Sequence, residues 1–208
     1  MNTIEKLTHE IKKKLNDDPA HDFNHIMRVF NNAKKICKYE SANERLVLAS
    51  VLLHDIVSYP KSDKRNKNAS VESANKAKII LKKYDFSKDE VSIIADAIRD
   101  HSFSRKKIPS TIEGKILQDS DRLDAIGAIG IARVFSTGGS LNRPLYNLDD
   151  PFCKIRKPND KQWTTDHFFK KLIHLESMMN TKSGKKLAKK RTKILTSYLK
   201  ELESEIQP

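Results

Sequence analysis

The sequence predicts an all-α protein, and three observations carry that prediction. Apolar residues recur at a spacing near 3.6 almost throughout, while alternation of period 2 is nearly absent. The composition suits a soluble helical chain, 38% hydrophobic and 32% charged, with only 6 Gly and 7 Pro in 208 residues. Several helix ends also have visible chemical causes.

Taken in order, the first helix is expected at about 2–15 and is broken by Asp17-Asp18-Pro19. The second, about 21–39, carries the stripe Phe23, Ile26, Met27 and Phe30. The third, about 43–57, contains Leu46-Val47-Leu48-Ala49-Ser50-Val51-Leu52-Leu53, apolar on every side, and stops before Tyr59-Pro60. Such a helix belongs at the centre of a fold, covered by amphipathic neighbours. Helices at about 68–84 and 87–101 follow, the latter with Ile94, Ile98 and His101 on one stripe. Ser110-Thr111-Ile112-Glu113 has the form of a capping box and opens a long helix at about 111–135. In that helix Gly127, Ala128, Gly130 and Ala132 would permit close approach of neighbours. Gly138-Gly139, Pro144, Pro151 and Pro158 make 136–164 a long loop. It reads equally as a lid over a site or as a surface excursion packed by Phe152 and Trp163. Two further helices, at about 165–179 and 183–205, complete the chain. The last places Leu187, Arg191, Ile194, Tyr198 and Leu202 along its packed side.

The length suits a single domain over 1–208, large enough to build a core without disulfides. Cys37 and Cys153 have no paired spacing, and neither a signal peptide nor a membrane span is apparent, so a cytoplasmic protein is expected. The net charge of +13 has two readings. One is a lysine-rich solvated surface, spread along the helices, whose field favours small anionic substrates. The other is a basic nucleic-acid-binding protein, although aromatic residues do not interleave with the lysines as stacking on single strands requires.

The central helix ends in His54-Asp55. A carboxylate buried there is costly unless paired, and a helix C-terminus prefers cations. A divalent ion would answer both problems, with the imidazole as a second ligand; an exposed His-Asp pair at a helix end is the bland alternative. His25, beside an apolar stripe, reads as a ligand or as a satisfied core histidine. Asp121 lies one turn after Leu117 and one before Ala125, so it should point inward and require a cation.

This ordered set resembles the HD superfamily of metal-dependent phosphohydrolases: a histidine, a His-Asp doublet and a distant aspartate on separate helices of an all-α domain. The local contexts agree, in His25-Ile26-Met27-Arg28-Val29, Leu52-Leu53-His54-Asp55 and Asp119-Ser120-Asp121-Arg122-Leu123-Asp124. More narrowly, His21-Asp22-Phe23-Asn24-His25, Asp149-Asp150-Pro151-Phe152 and Thr165-Asp166-His167-Phe168 are similar to bacterial HD hydrolases, some directed at nucleotides. The resemblance implies an HD-like helical bundle with His25, His54, Asp55 and Asp121 as metal ligands. It implies one or two divalent ions, Mn²⁺, Mg²⁺ or Fe²⁺ before Zn²⁺. It further implies hydrolysis of a phosphate ester or phosphoanhydride of a nucleotide-like substrate by metal-activated water. Some members place an acidic residue on the first turn after the doublet; here Ser58 stands in that turn. Asp63, Glu72 and Asp124 are therefore the candidate bases beside Asp55, and His21, Lys61, His101 and Arg122 the candidate phosphate partners. An HD protein using an iron pair for oxidation is the alternative within the enzyme class, with His21 and His101 as the extra histidines.

Overall fold

The structure, a computed structural model, describes residues 1–14, 23–59 and 63–206. The breakers Asp17-Asp18-Pro19 and Pro60 lie outside the described residues. The chain is helical as expected, with no strand among the described residues. Its helices are α1 (Thr3–Lys14), α2 (Phe23–Cys37), α3 (Glu44–Leu53), α4 (Ala69–Leu81), α5 (Lys88–Asp100), α6 (Ile112–Asp124), α7 (Gly127–Ser140), α8 (Asp166–Lys170) and α9 (Lys182–Ile206). Short 3-10 turns occur at Lys64–Asn68, Phe103–Arg105 and Leu172–His174. These elements form two compact units, Met1–Asp121 and Arg122–Pro208.

The first unit is built around α3. Every residue from Leu46 to Leu53 is buried, and α1, α2, α4 and α5 pack against this helix. A fully buried leucine or valine contributes roughly 1.5–3 kcal/mol, which makes this all-round apolar helix the core of the unit. Its N-terminus is capped by Asn43, whose Oδ1 accepts from the Leu46 amide, while the Asn43 amide donates to Glu113 Oε1 of α6 at 3.1 Å.

That contact corrects the expected capping box. Glu113 serves the start of α3, and Thr111, not Ser110, caps α6 by accepting from the Gly114 amide. A reciprocal capping box does occur at α5, where Ser87 and Glu90 satisfy each other's amides. On α2 the buried face is also turned from expectation. It consists of His25, Ile26, Val29, Asn32, Ala33 and Ile36, with Phe23, Met27 and Phe30 only half-buried. The rotation places His25 on the core side.

The expected helix 111–135 is two helices. Ile126 is extended, Gly127 has φ +78°, and α7 starts afresh from there. Gly130 explains the tightness of the turn, since a Cβ on it would lie 2.3 Å from the Ala125 carbonyl oxygen. The glycines therefore serve a turn of the backbone, and Ala128 and Ala132 are exposed.

In the second unit α7 packs on α9, and Phe135, Phe168 and Tyr198 form an aromatic cluster with centroids 5.9–6.1 Å apart. The packed side of α9 is Gly184, Ala188, Leu195 and Leu199, while Ile194 is exposed. The expected helix 165–179 is interrupted at Lys171, and its apolar spacing continues through tighter turns that bury Leu172, Leu175 and Met179. The long loop begins after Ser140, because α7 accommodates Gly138-Gly139. It is internally braced. Asp150 accepts from the amides of Lys154, Ile155 and Arg156. Arg156 forms a two-pronged ion pair with the fully buried Asp166, at 2.5 and 2.7 Å, and stacks on Trp163.

Candidate metal centre

The residues that meet in the first unit come from the ends and faces of four helices. His54 closes α3 and His101 closes α5, each as the helix C-cap. Asp55 follows His54, His25 comes from the buried face of α2, and Asp121 from α6. α3 stops at Leu53 rather than near 57 because the next segment is tied to α4: the Val57 amide donates to Ser73 Oγ, which donates back to the Val57 carbonyl.

The two cap histidines are oriented by the same device. His54 Nδ1 donates to the Val51 carbonyl at 2.7 Å, and His101 Nδ1 donates to the Ile98 carbonyl at 2.6 Å. A carbonyl can only accept, so each Nδ1 carries a proton and each Nε2 is left for another purpose. His54 Nε2 is buried and has no hydrogen-bond partner. An orphan nitrogen of this kind is costly unless something binds it.

Carboxylates surround it without satisfying it. Asp55 Oδ2 lies 3.6 Å from His54 Nε2 and 3.9 Å from His25 Nε2, and Asp55 Oδ1 lies 3.9 Å from His101 Nε2. Asp121 Oδ1 lies 3.5 Å from His25 Nε2. These separations are too long for hydrogen bonds. They suit donors sharing a cation: two atoms each about 2.1 Å from one ion can be at most about 4.2 Å apart. Two overlapping groups, His25-His54-Asp121 and His54-Asp55-His101, each offer donors within 4.8 Å of one another, so these residues could hold a metal ion.

The electrostatics agree with this geometry. Burial pushes the Asp121 carboxyl upward, but the imidazoles of His25, His54 and His101 outweigh it and hold its pKa below the ordinary value. Burial, and then His54, push the His101 imidazole down, toward the neutral form that a ligand needs. The imidazoles of His25, His54 and His101 are only 2%, 0% and 5% exposed, whereas Asp55 and Asp121 are 20% and 32% exposed. The cluster therefore has a dry nitrogen side and a wetter oxygen side through which a ligand can enter.

Two buried amides brace these helices. Asn32, seven residues after His25 on the same face of α2, donates to the Ser120 carbonyl at 3.1 Å. Gln118, three residues before Asp121, donates to the His101 carbonyl at 3.1 Å and the Lys107 carbonyl at 2.9 Å. Sequence reasoning missed both, though their spacing from His25 and Asp121 was a usable signal.

Other expected site residues are placed elsewhere. Arg122 is one residue from Asp121, and so about 100° round α6; it is buried in the second unit, where Nη1 donates to the Met178 carbonyl. It lies outside both donor groups. Asp124 is buried against Arg133 Nη1 at 2.8 Å, and Asp63 caps the turn Lys64–Asn68 while pairing with Arg65 through both oxygens. Neither belongs to the two donor groups. Glu72 bonds the Tyr59 hydroxyl at 2.5 Å, outside both donor groups. His21 and Lys61 lie outside the described residues.

Comparison with known proteins finds the HD domain over residues 22–126. The chain belongs to the HD family. Its sequence is 32% identical over 194 residues to the uncharacterized protein YpgQ of Bacillus subtilis, covering 91% of this chain and 86% of that one. The structure of YpgQ in complex with ADP is similar, at 30% identity and a TM-score of 0.75, over 99% of this chain and 95% of that one. So is an HD-superfamily hydrolase from Bacillus thuringiensis, at 30% identity and a TM-score of 0.76, over 97% of this chain and 95% of that one. This HD chain thus has the fold of a metal-dependent hydrolase. No helix among its described residues is long and apolar enough to cross a membrane.

Proposed function

We propose that this chain, acting over 1–208 as one domain, hydrolyses a phosphoanhydride or phosphate ester of a nucleotide, with a nucleoside triphosphate cut between its α and β phosphates as the leading case. The carrying observation is the buried, partnerless His54 Nε2 facing two carboxylates and two further imidazoles. His25, His54, Asp55 and Asp121 would hold the ion, and His101, expected from the sequence as a phosphate partner, is better assigned as a fifth donor. Mn²⁺, Mg²⁺ and Fe²⁺ suit this mixed nitrogen and oxygen set, and the two overlapping groups leave room for one ion or two. When bound, such a metal supplies a hydroxide near neutral pH and polarises a phosphoryl oxygen.

The chain's own groups do the rest. The carbonyls of Val51 and Ile98 keep His54 and His101 in the tautomer that presents Nε2. Asp55 spans the cluster, with Oδ2 toward His25 and His54 and Oδ1 toward His101, and we assign Oδ1 to receive the proton of the attacking water. The complex of YpgQ with ADP supports a nucleotide as the ligand class.

The test is turnover of a panel of nucleoside triphosphates, diphosphates and simple phosphate esters with Mn²⁺. We expect turnover that requires the ion and falls by at least about 10³-fold in His54→Ala and Asp55→Ala, since metal chemistry and proton transfer are lost together. Undiminished turnover in either variant contradicts the assignment. Because His101 gives the site a third histidine, the same preparations loaded with Fe²⁺ should be checked for oxygen uptake; none is expected from a hydrolase.

A further inference from the structure

The sequence suggests lysines spread along many helices, but one face of α9 gathers six of them. Between Glu176 and Glu201 there is no acidic residue, and Lys182, Lys185, Lys186, Lys189, Lys190 and Lys193 of α9 are all exposed. At 100° per residue they fall within one face of the helix, opposite the packed Gly184, Ala188, Leu195 and Leu199. None of the six has an ion-pair partner among the described residues, although other lysines do, such as Lys154 with Glu203 at 2.6 Å and Lys170 with Asp160 at 2.8 Å.

Helix formation alone disfavours this arrangement. The first turn of α9 has no acidic residue and begins with lysine, the wrong sign for the macrodipole. Lys182 and Lys186, Lys185 and Lys189, Lys186 and Lys190, and Lys189 and Lys193 are like-charge pairs at i,i+4, each destabilising. Local conflict of this kind without a packing return marks a surface used for something else.

We infer that the lysine face of α9 binds the phosphate backbone of double-stranded nucleic acid, without sequence preference. From Lys182 to Lys193 the ridge is about 16 Å long, with a cation every turn, matching a linear array of phosphates. The face carries no aromatic side chain on which single-strand bases would stack, which favours duplex. Ile194, at its edge, is the exposed apolar residue nearest the lysines in sequence, too little to insert into a lipid surface. The inference is independent of the proposed hydrolase reaction, as α9 contains none of the candidate ligands.

The experiment is fluorescence anisotropy of a labelled duplex of arbitrary sequence, titrated with the full chain from 50 to 200 mM salt. Three variants accompany the wild type. One carries Lys182→Gln, Lys186→Gln, Lys189→Gln and Lys193→Gln; one carries Arg at the same four positions; the third carries Lys12→Gln, Lys13→Gln, Lys34→Gln and Lys35→Gln in the first unit. The wild type is expected to bind with a steep salt dependence. The α9 glutamine variant should lose at least about tenfold in affinity and flatten the log–log salt slope by about 3 to 4, at roughly 0.9 per phosphate contact. The arginine and first-unit variants should bind nearly as the wild type does. The glutamine variant should also melt no lower than the wild type, because repulsion within α9 has been relieved. Absence of duplex binding by the wild type, equal loss in the two glutamine variants, or binding to phosphatidylglycerol vesicles in preference to duplex overturns the inference.

Discussion

His54 and His101 reach the same arrangement from unrelated sequence contexts. Each closes a helix, ties Nδ1 to the carbonyl three residues back and turns Nε2 toward Asp55. His54 was legible because a charged doublet terminating an all-apolar helix demands a partner. His101 is legible as a continuation of the Ile94 and Ile98 stripe and as a candidate phosphate partner or extra histidine, but its neighbour depends on how α5 packs on α3, which one-dimensional spacing does not encode. Arg122 and Asp124 go elsewhere for different reasons: Arg122, next to Asp121, points about 100° away round α6, whereas Asp124, three residues on, is drawn to Arg133 at 2.8 Å. In chelator-treated protein, the depressed His101 pKa has a stability consequence. The folded state keeps the ring neutral where the unfolded chain, at about 6.5, takes up a proton. The stability it contributes is therefore present above pH 6.5 and lost as pH falls through the lower folded value. Denaturant titrations at stepped pH should show His101→Gln flattening the loss of stability below pH 6.5; an unchanged slope contradicts a buried neutral imidazole.

Among the elements, the helices whose apolar faces are long were read within a few residues, and α3 was recognised as central from its composition. The misreadings cluster where the backbone turns. Gly127 and Gly130 read in sequence as small residues for packing between helices, whereas the positive φ of Gly127 and the close approach of Gly130 to Ala125 make them the turn at which α7 starts. The Glu113 side chain was assigned to its own helix, but it reaches the amide of Asn43 seventy residues away, a long-range contact no local pattern reveals. In the loop after α7, Arg156 and Asp166 hold the path of the chain. Arg156→Ala leaves Asp166 buried without its cation and should cost about 3–5 kcal/mol, measured by equilibrium unfolding. A loss under about 1 kcal/mol would mean the ion pair is not what braces this segment.

For the molecule as a whole, the match to the HD domain over 22–126 takes in all five clustered residues, and each lies within the first unit. Of the positive charge that sequence alone left between a solvated surface and nucleic-acid binding, one part is gathered on a single exposed face of α9. The central claim is that His25, His54, Asp55 and Asp121, with His101, form a cation site. Calorimetric titration of Mn²⁺ into chelator-stripped protein tests it most directly. Saturable binding at one or two ions per chain is predicted, weakened at least about tenfold in Asp121→Asn and in His54→Gln, as removal of a metal ligand requires. Wild-type protein that takes up no ion, or variants that bind as tightly as the wild type, would contradict the account.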